Sequence, residues 1–82
     1  MATLIVKVSD AATGNALPYV NVQVDGLSDS TGLDGTCSFG VDLGKTYTVK
    51  VRNIYYRPFS VSVQINQDTV TVNAQLQKAT LG

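Results

Sequence analysis

Val20-Asn21-Val22-Gln23-Val24-Asp25-Gly26 is the stretch on which the fold turns. Valine occupies every second position, amide side chains fill the gaps, and the run stops at an Asp-Gly pair. Successive side chains on a β-strand point to opposite faces, so the valines cover one face and the amides the other. β-Branched side chains suit a pleated sheet better than a helix. Asp-Gly supplies the unusual backbone angles of a tight turn.

The same spelling recurs on both sides of this stretch. Leu4, Val6 and Val8 alternate with Ile5, Lys7 and Ser9; Cys37, Phe39 and Val41 with Ser38, Gly40 and Asp42. Tyr47, Val49 and Val51 alternate with Thr48, Lys50 and Arg52; Phe59, Val61, Val63 and Ile65 with Ser60, Ser62 and Gln64; Val70, Val72, Ala74 and Leu76 with Thr71, Asn73 and Gln75. No window shows a 3.6-residue stripe, so no helix longer than one turn is predicted. Asp10 to Asn15, Asp34-Gly35 and Leu43-Gly44 punctuate the runs, and Asn66-Gln67-Asp68 is short enough to close a hairpin. Pro18 is expected to open one strand and Pro58 to precede another, where a missing N–H is tolerated.

This pattern predicts a single all-β domain over residues 1–82, with 77–82 as a frayed tail. Its form is a small seven-strand antiparallel β-sandwich, an immunoglobulin-like or prealbumin-like Greek key. The expected core is Leu4, Val6, Val8, Val20, Val22, Val24, Phe39, Tyr47, Val49, Val51, Val61, Val63, Val70 and Val72.

Composition narrows the function by exclusion. The chain has 82 residues, no histidine, no tryptophan and no glutamate; its six acids are all aspartate and its formal net charge is zero. Charged residues make up 15%, well below the roughly 25% of average soluble proteins. No basic excess exists to neutralise a run of phosphates, so nucleic acid is not an expected partner. The apolar run Leu4-Ile5-Val6 ends at Lys7, too short for a signal-peptide core or a spanning helix, so no membrane insertion is expected. Without histidine, a serine or cysteine nucleophile lacks its usual base, and no catalytic, metal or cofactor-binding residue is assigned.

The residues also resemble a family. Asp10-x-x-Thr13-Gly14-x-x-Leu17-Pro18-x-Val20-x-Val22 joins the first two strands, Thr31-Gly32-Leu33-Asp34-Gly35 leads into Phe39, and Leu43-Gly44-x-x-Tyr47-x-Val49-x-Val51 follows. That order is similar to the carboxypeptidase regulatory-like domains, sandwiches related to the transthyretin fold, over residues 4–66. The resemblance implies a non-catalytic module attached to a larger protein or acting in an interaction. Two features depart from it. Ile54-Tyr55-Tyr56 stands where the family carries a Gly-Tyr pair. The related hydroxyisourate hydrolases need histidines and a C-terminal Tyr-Arg-Gly-Ser, whereas this sequence ends Ala79-Thr80-Leu81-Gly82.

Several residues invite a sharper reading. Tyr55-Tyr56-Arg57 is a candidate interaction patch, because tyrosine and arginine offer large area with a polar tip; one tyrosine packing inward is the bland alternative. Cys37 alternates with Phe39 and reads as a small buried hydrophobe. Asp25, Asp29 and Asp34 lack the spacing of a calcium loop and read as turn formers. An isopeptide link from Lys7 to Asn73 is disfavoured, since Lys7 shares a face with Ser9 and points to solvent.

The wet faces carry Thr46, Thr48, Ser60, Ser62, Gln64, Thr69, Thr71, Asn73 and Gln75, where isolated domains commonly place guarding lysine or glutamate. The first functional expectation is therefore a structural subunit of a larger protein assembly, such as a virus coat, surface lattice or appendage, meeting copies of itself or other subunits. The alternative is an adaptor that binds a protein or a glycan through Tyr55, Tyr56 and Arg57. A hydroxyisourate-hydrolase-like enzyme is the remote third.

Overall fold

A computed structural model describes residues 1–79. Seven strands follow one another: β1 (Ala2–Asp10), β2 (Asn21–Val24), β3 (Leu27–Ser30), β4 (Thr36–Val41), β5 (Thr46–Arg52), β6 (Phe59–Gln64) and β7 (Thr69–Leu76). They form two sheets, β4-β1-β7 and β3-β2-β5-β6. The chain is an all-β sandwich, and no helix occurs among the described residues.

The chain crosses between the sheets after β1, β3, β4 and β6. An immunoglobulin constant domain keeps its first, second, fourth and fifth strands in one sheet; here the first and fourth share a sheet with the seventh, and the second and fifth lie opposite. Four of the five pairings are antiparallel, but β1 and β7 run parallel, from Thr3 beside Thr69 to Asp10 beside Leu76. That corrects the expectation of purely antiparallel pairing. Asn66-Gln67-Asp68 does not close a hairpin either, because β6 and β7 belong to different sheets. The segment carries the chain across the sandwich, which is what allows β7 to run beside β1.

The apolar alternation meets in the middle. Leu4, Val6 and Val8 of β1 face Val22 and Val24 of β2 and Val49 and Val51 of β5, all essentially sealed from solvent. Ala2, Val20, Cys37, Phe39, Val41, Ile65, Ala74 and Leu76 complete the interior. Burying a side chain of this size stabilises by about 1.5–3 kcal/mol each. Tyr47, Val63, Val70 and Val72, expected in the core, are only partly buried against it, and Val61 is 36% exposed. All five lie towards β6 and β7. β3 and β4 touch across the opposite edge of the sandwich. With three strands over four, β6 therefore has no strand above it.

Three local departures lie outside what alternation reports. Leu27-Ser28-Asp29-Ser30 is a strand with every residue exposed, formed because the Asp25-Gly26 turn folds it back onto β2. Pro18 does not open a strand; β2 starts at Asn21. The segment 77–79, expected to fray, is tied down: Arg57 N–H donates to Gln77 O at 2.8 Å and Ala79 N–H to Tyr55 O at 3.0 Å. Residues 80–82 of the expected tail lie outside the described residues.

Candidate functional site

The strand registers bring four segments to the end of the sandwich where β1 finishes. These are the β1–β2 loop, the β3–β4 loop, the β5–β6 loop, and the segment after β7. Tyr55, Tyr56 and Arg57 lie here, and the structure gives them different jobs.

Tyr56 is half-buried, and its hydroxyl donates to Asp10 Oδ2 at 2.8 Å. Asp10 is itself only 5% exposed, at the last position of β1. Its other oxygen, Oδ1, accepts the N–H groups of Ala12 at 2.8 Å and Thr13 at 3.2 Å, closing the loop that follows. A carboxylate that accepts three hydrogen bonds is stabilised in its charged form. The Tyr56 hydroxyl first, and the Ala12 N–H second, hold the Asp10 carboxyl below its ordinary value. The same bond to Asp10 raises the Tyr56 phenol above its own. Tyr56 is therefore a clamp between the two sheets.

Tyr55 is 67% exposed and Ile54 beside it 85% exposed; Arg57 is exposed as well. The loop that displays them is fastened at several points. Asn53 Oδ1 accepts the Tyr55 N–H at 2.8 Å, Tyr56 N–H donates to Asn53 O at 3.2 Å, and the backbone bonds to Gln77 and Ala79 hold its far side. Arg52, Asn53, Ile54 and Pro58 line a shallow open depression of about 380 Å³.

Tyr19, which the sequence did not single out, joins them at this end. It is 71% exposed, and its backbone sits in the left-handed region at φ 58°, a conformation that costs a non-glycine residue about 1–3 kcal/mol. Thr31 holds it there. The buried Thr31 hydroxyl donates to Leu17 O at 2.7 Å and accepts the Val20 N–H at 2.9 Å. Tyr19 N–H donates to Thr31 O at 2.9 Å, and Thr31 N–H to Val20 O at 3.0 Å. Leu33, 79% exposed, follows from the next loop. The only sequence signal for this clamp was a threonine placed among turn residues, because its partners lie 11 and 14 residues away.

The other candidates resolve individually. Cys37 is a free, buried thiol that desolvation, helped by Asp29, pushes up to about 11, so little thiolate exists at neutral pH. Asp25, Asp29 and Asp34 are not brought together. Asp25 Oδ1 accepts the Thr48 N–H at 2.9 Å, Asp29 Oδ1 the Ser30 N–H at 2.8 Å, and Asp34 Oδ1 both the N–H and the hydroxyl of Thr36. Asp29 and Asp34 are used by their own turns, and Asp25 ties its turn to β5. Lys7 and Asn73 are register partners across β1 and β7, but both are exposed on the outer face. Among the described residues, no group of histidine, cysteine or acidic side chains is arranged to hold a metal, and no helix is long and apolar enough to cross a membrane.

No protein-family model matches the chain, and no curated protein matches it. Solved structures do. The Bacillus anthracis TIE protein contains a similar fold at 21% identity and a TM-score of 0.72, over 94% of this chain and 17% of that one. A putative membrane-associated protein of unknown function from Bacteroides fragilis is similar at 22% identity and a TM-score of 0.68, over 99% of this chain and 30% of that one. The chain thus spans less than a third of either neighbour, and the likeness is one of fold.

Proposed function

We propose that this chain is a non-catalytic structural subunit of a larger protein assembly, of the kind found in a virus coat, a surface lattice or an appendage. The observation that carries the reading is the chemistry of its exposed strand faces. Ser60, Ser62 and Gln64 on β6, and Thr69, Thr71, Asn73 and Gln75 on β7, are all exposed and none is charged. Hydroxyls and amides are cheaper to desolvate than ions and find hydrogen-bond partners in almost any protein surface. A domain that must stay apart from its neighbours guards such surfaces with charge; these two strands carry none. The experiment is light scattering with size-exclusion on material from the native source, with copy number by quantitative mass spectrometry. Many copies per particle are expected. A monomer free of any assembly overturns the reading.

One observation favours a second reading, an adaptor that binds a protein through the loop end. Ile54 and Tyr55 stand exposed on a loop fastened to two other segments, with Tyr19 and Leu33 at the same end. Large side chains displayed on a rigid frame bind with little loss of conformational freedom. The carboxypeptidase regulatory-like resemblance supports the same reading. Ile54→Ala with Tyr55→Ala separates the two: an adaptor loses its partner while its melting temperature stays put, whereas a subunit that assembles through its strands still assembles.

A further inference from the structure

We propose that the two ends of the sandwich are complementary docking surfaces, through which copies of this chain stack end to end in an open row. The inference rests on the structural-subunit reading and adds a lengthwise contact to the sideways one that β6 and β7 offer.

Strand direction sorts the charges. The end where β1, β3, β5 and β7 finish is the loop end described above, and it displays Arg52, Arg57 and Lys78. Its two aspartates are Asp34, which is exposed, and Asp10, which is buried and hydrogen-bonded. The opposite end, where β2, β4 and β6 finish, displays Asp25, Asp42 and Asp68 against one lysine. That lysine, Lys45, pairs with Asp42 at 3.2 Å in full contact with solvent, a weak bond that is readily exchanged. Lys7, Asp29 and Lys50 lie on the flanks between. A chain of zero formal net charge therefore has side chains that make one end positive and the other negative. The molecule is 43 Å long and 21 and 18 Å across, and salt screens charge over roughly 8 Å at physiological ionic strength. The two ends cannot neutralise each other within one copy.

The exposed apolar groups follow the same division. Among the described residues, every exposed large apolar side chain except Val61 lies at an end. Tyr19, Leu33, Ile54 and Tyr55 stand at the first; Met1, Leu27 and Leu43 stand at the second. The flanks, by contrast, show hydroxyls, amides and scattered charge.

The partner that suits the loop end is acidic with an apolar tip, and the opposite end of a second copy has that chemistry. Leu43, 57% exposed with Asp42 beside it, matches the open depression of the loop end, which is apolar at Ile54 and Pro58 and cationic at Arg52. A contact between two different surfaces leaves one of each free, so a third copy can add as the second did. The narrow cross-section keeps the contact below the roughly 800 Å² per partner of a standard interface. A single contact is weak, and repetition along a row gives it effect.

Small-angle X-ray scattering of the purified chain, at millimolar concentration and low salt, tests the contact. Each added copy should lengthen the particle by about the 43 Å of one molecule. Raising the salt from about 20 to about 500 mM should weaken association about tenfold. Arg52→Glu with Arg57→Glu makes both ends negative, and Asp42→Lys with Asp68→Lys makes both positive. Each variant alone should lose about a hundredfold in association, and an equal mixture of the two should recover rows. Lys7→Glu with Lys50→Glu changes net charge as much on the flanks and should associate like the wild type. The proposal is overturned by a wild type that stays monomeric, by mass that grows without length, by a reversed pair that still forms rows alone, or by a mixture that forms none. If a reversed variant does not fold, concentration-dependent NMR shifts of the wild type decide. Movement at both Tyr55 and Leu43 supports the contact, and any other pattern overturns it. Failure here leaves the structural reading standing when the native particle holds many copies. Rows formed by a chain that is monomeric in its native source refute the structural reading instead.

Discussion

β5 and β6 lie side by side with the same alternating valines, yet they are buried to different depths. Val49 and Val51 of β5 are 0% exposed, whereas Val61 of β6, directly opposite Val49, is 36% exposed. β5 is flanked by β2 and β6 and roofed by the other sheet; β6 is an edge strand with no strand above it. Alternation assigns a side chain to a face. How deeply that face is covered depends on the strand's place in the sheet and on what is stacked over it.

Substitutions can break or sharpen this contrast. The largest effect is expected at its deep extreme. Leu4→Ala, in the middle strand of the three-stranded sheet, should destabilise by about 3 kcal/mol in urea unfolding, through lost transfer energy and the cavity left behind. An effect under half of that would mean the centre is not closed as described.

Next comes the side of the sandwich where the strands are stacked in full. Gly35 sits at φ 76°, and a Cβ there would lie 2.8 Å from both Val8 O and the Ala16 Cβ. Gly44 also has a positive φ, 88°, but nothing stands within 4 Å. Gly44→Ala should therefore cost about 1 kcal/mol from backbone strain alone, and Gly35→Ala about 2–3 kcal/mol by thermal denaturation, since the carbonyl it strikes accepts the Leu17 N–H that anchors the β1–β2 loop. Equal losses at the two glycines would refute the close approach.

Tyr56→Phe probes the strap between the sheets and should act less than Gly35→Ala, with a signature in pH. Asp10 is held below its ordinary 3.8 chiefly by Tyr56. A carboxyl lowered on folding stabilises above its unfolded value and loses that contribution as pH falls through its folded one. Wild type should thus lose stability steadily as pH drops below 3.8, and the variant less steeply. On the alkaline side the phenol, raised above 10.0, stabilises below that pH and stops doing so as pH climbs through its folded value; the variant has no such limb. Melting temperature measured from acid to alkaline pH reads both limbs. Parallel curves for the two proteins would sink the assignment.

The smallest effect belongs to the shallow extreme. Val61→Ala should cost under about 0.5 kcal/mol in the monomer, as surface substitutions do. A loss matching that of Val51→Ala would show that β6 is covered in the free protein.

Much of the fold was legible. Six alternating runs became β1, β2, β4, β5, β6 and β7, because a period of two is a local property of the chain. β3 was not, because none of Leu27 to Ser30 is buried and nothing alternates; it exists by pairing with β2. The parallel β1–β7 pair was hidden too, since a strand's spelling is the same whichever way its neighbour runs. Of the candidate site, Tyr55-Tyr56-Arg57 was visible as a segment and divided only by structure. Tyr56 found Asp10, 46 residues away, and Tyr55 found solvent.

By itself the sequence determined that the chain forms sheets and which side chains turn inward along each strand. These follow from side-chain type and a repeat of two residues, both of which are present before any contact is made. Only the tertiary structure decided which strands stack three over four, which strands lie at the edges, and which tyrosine is spent holding the sheets together. Each of those depends on segments far apart in the chain being brought within a hydrogen bond of one another.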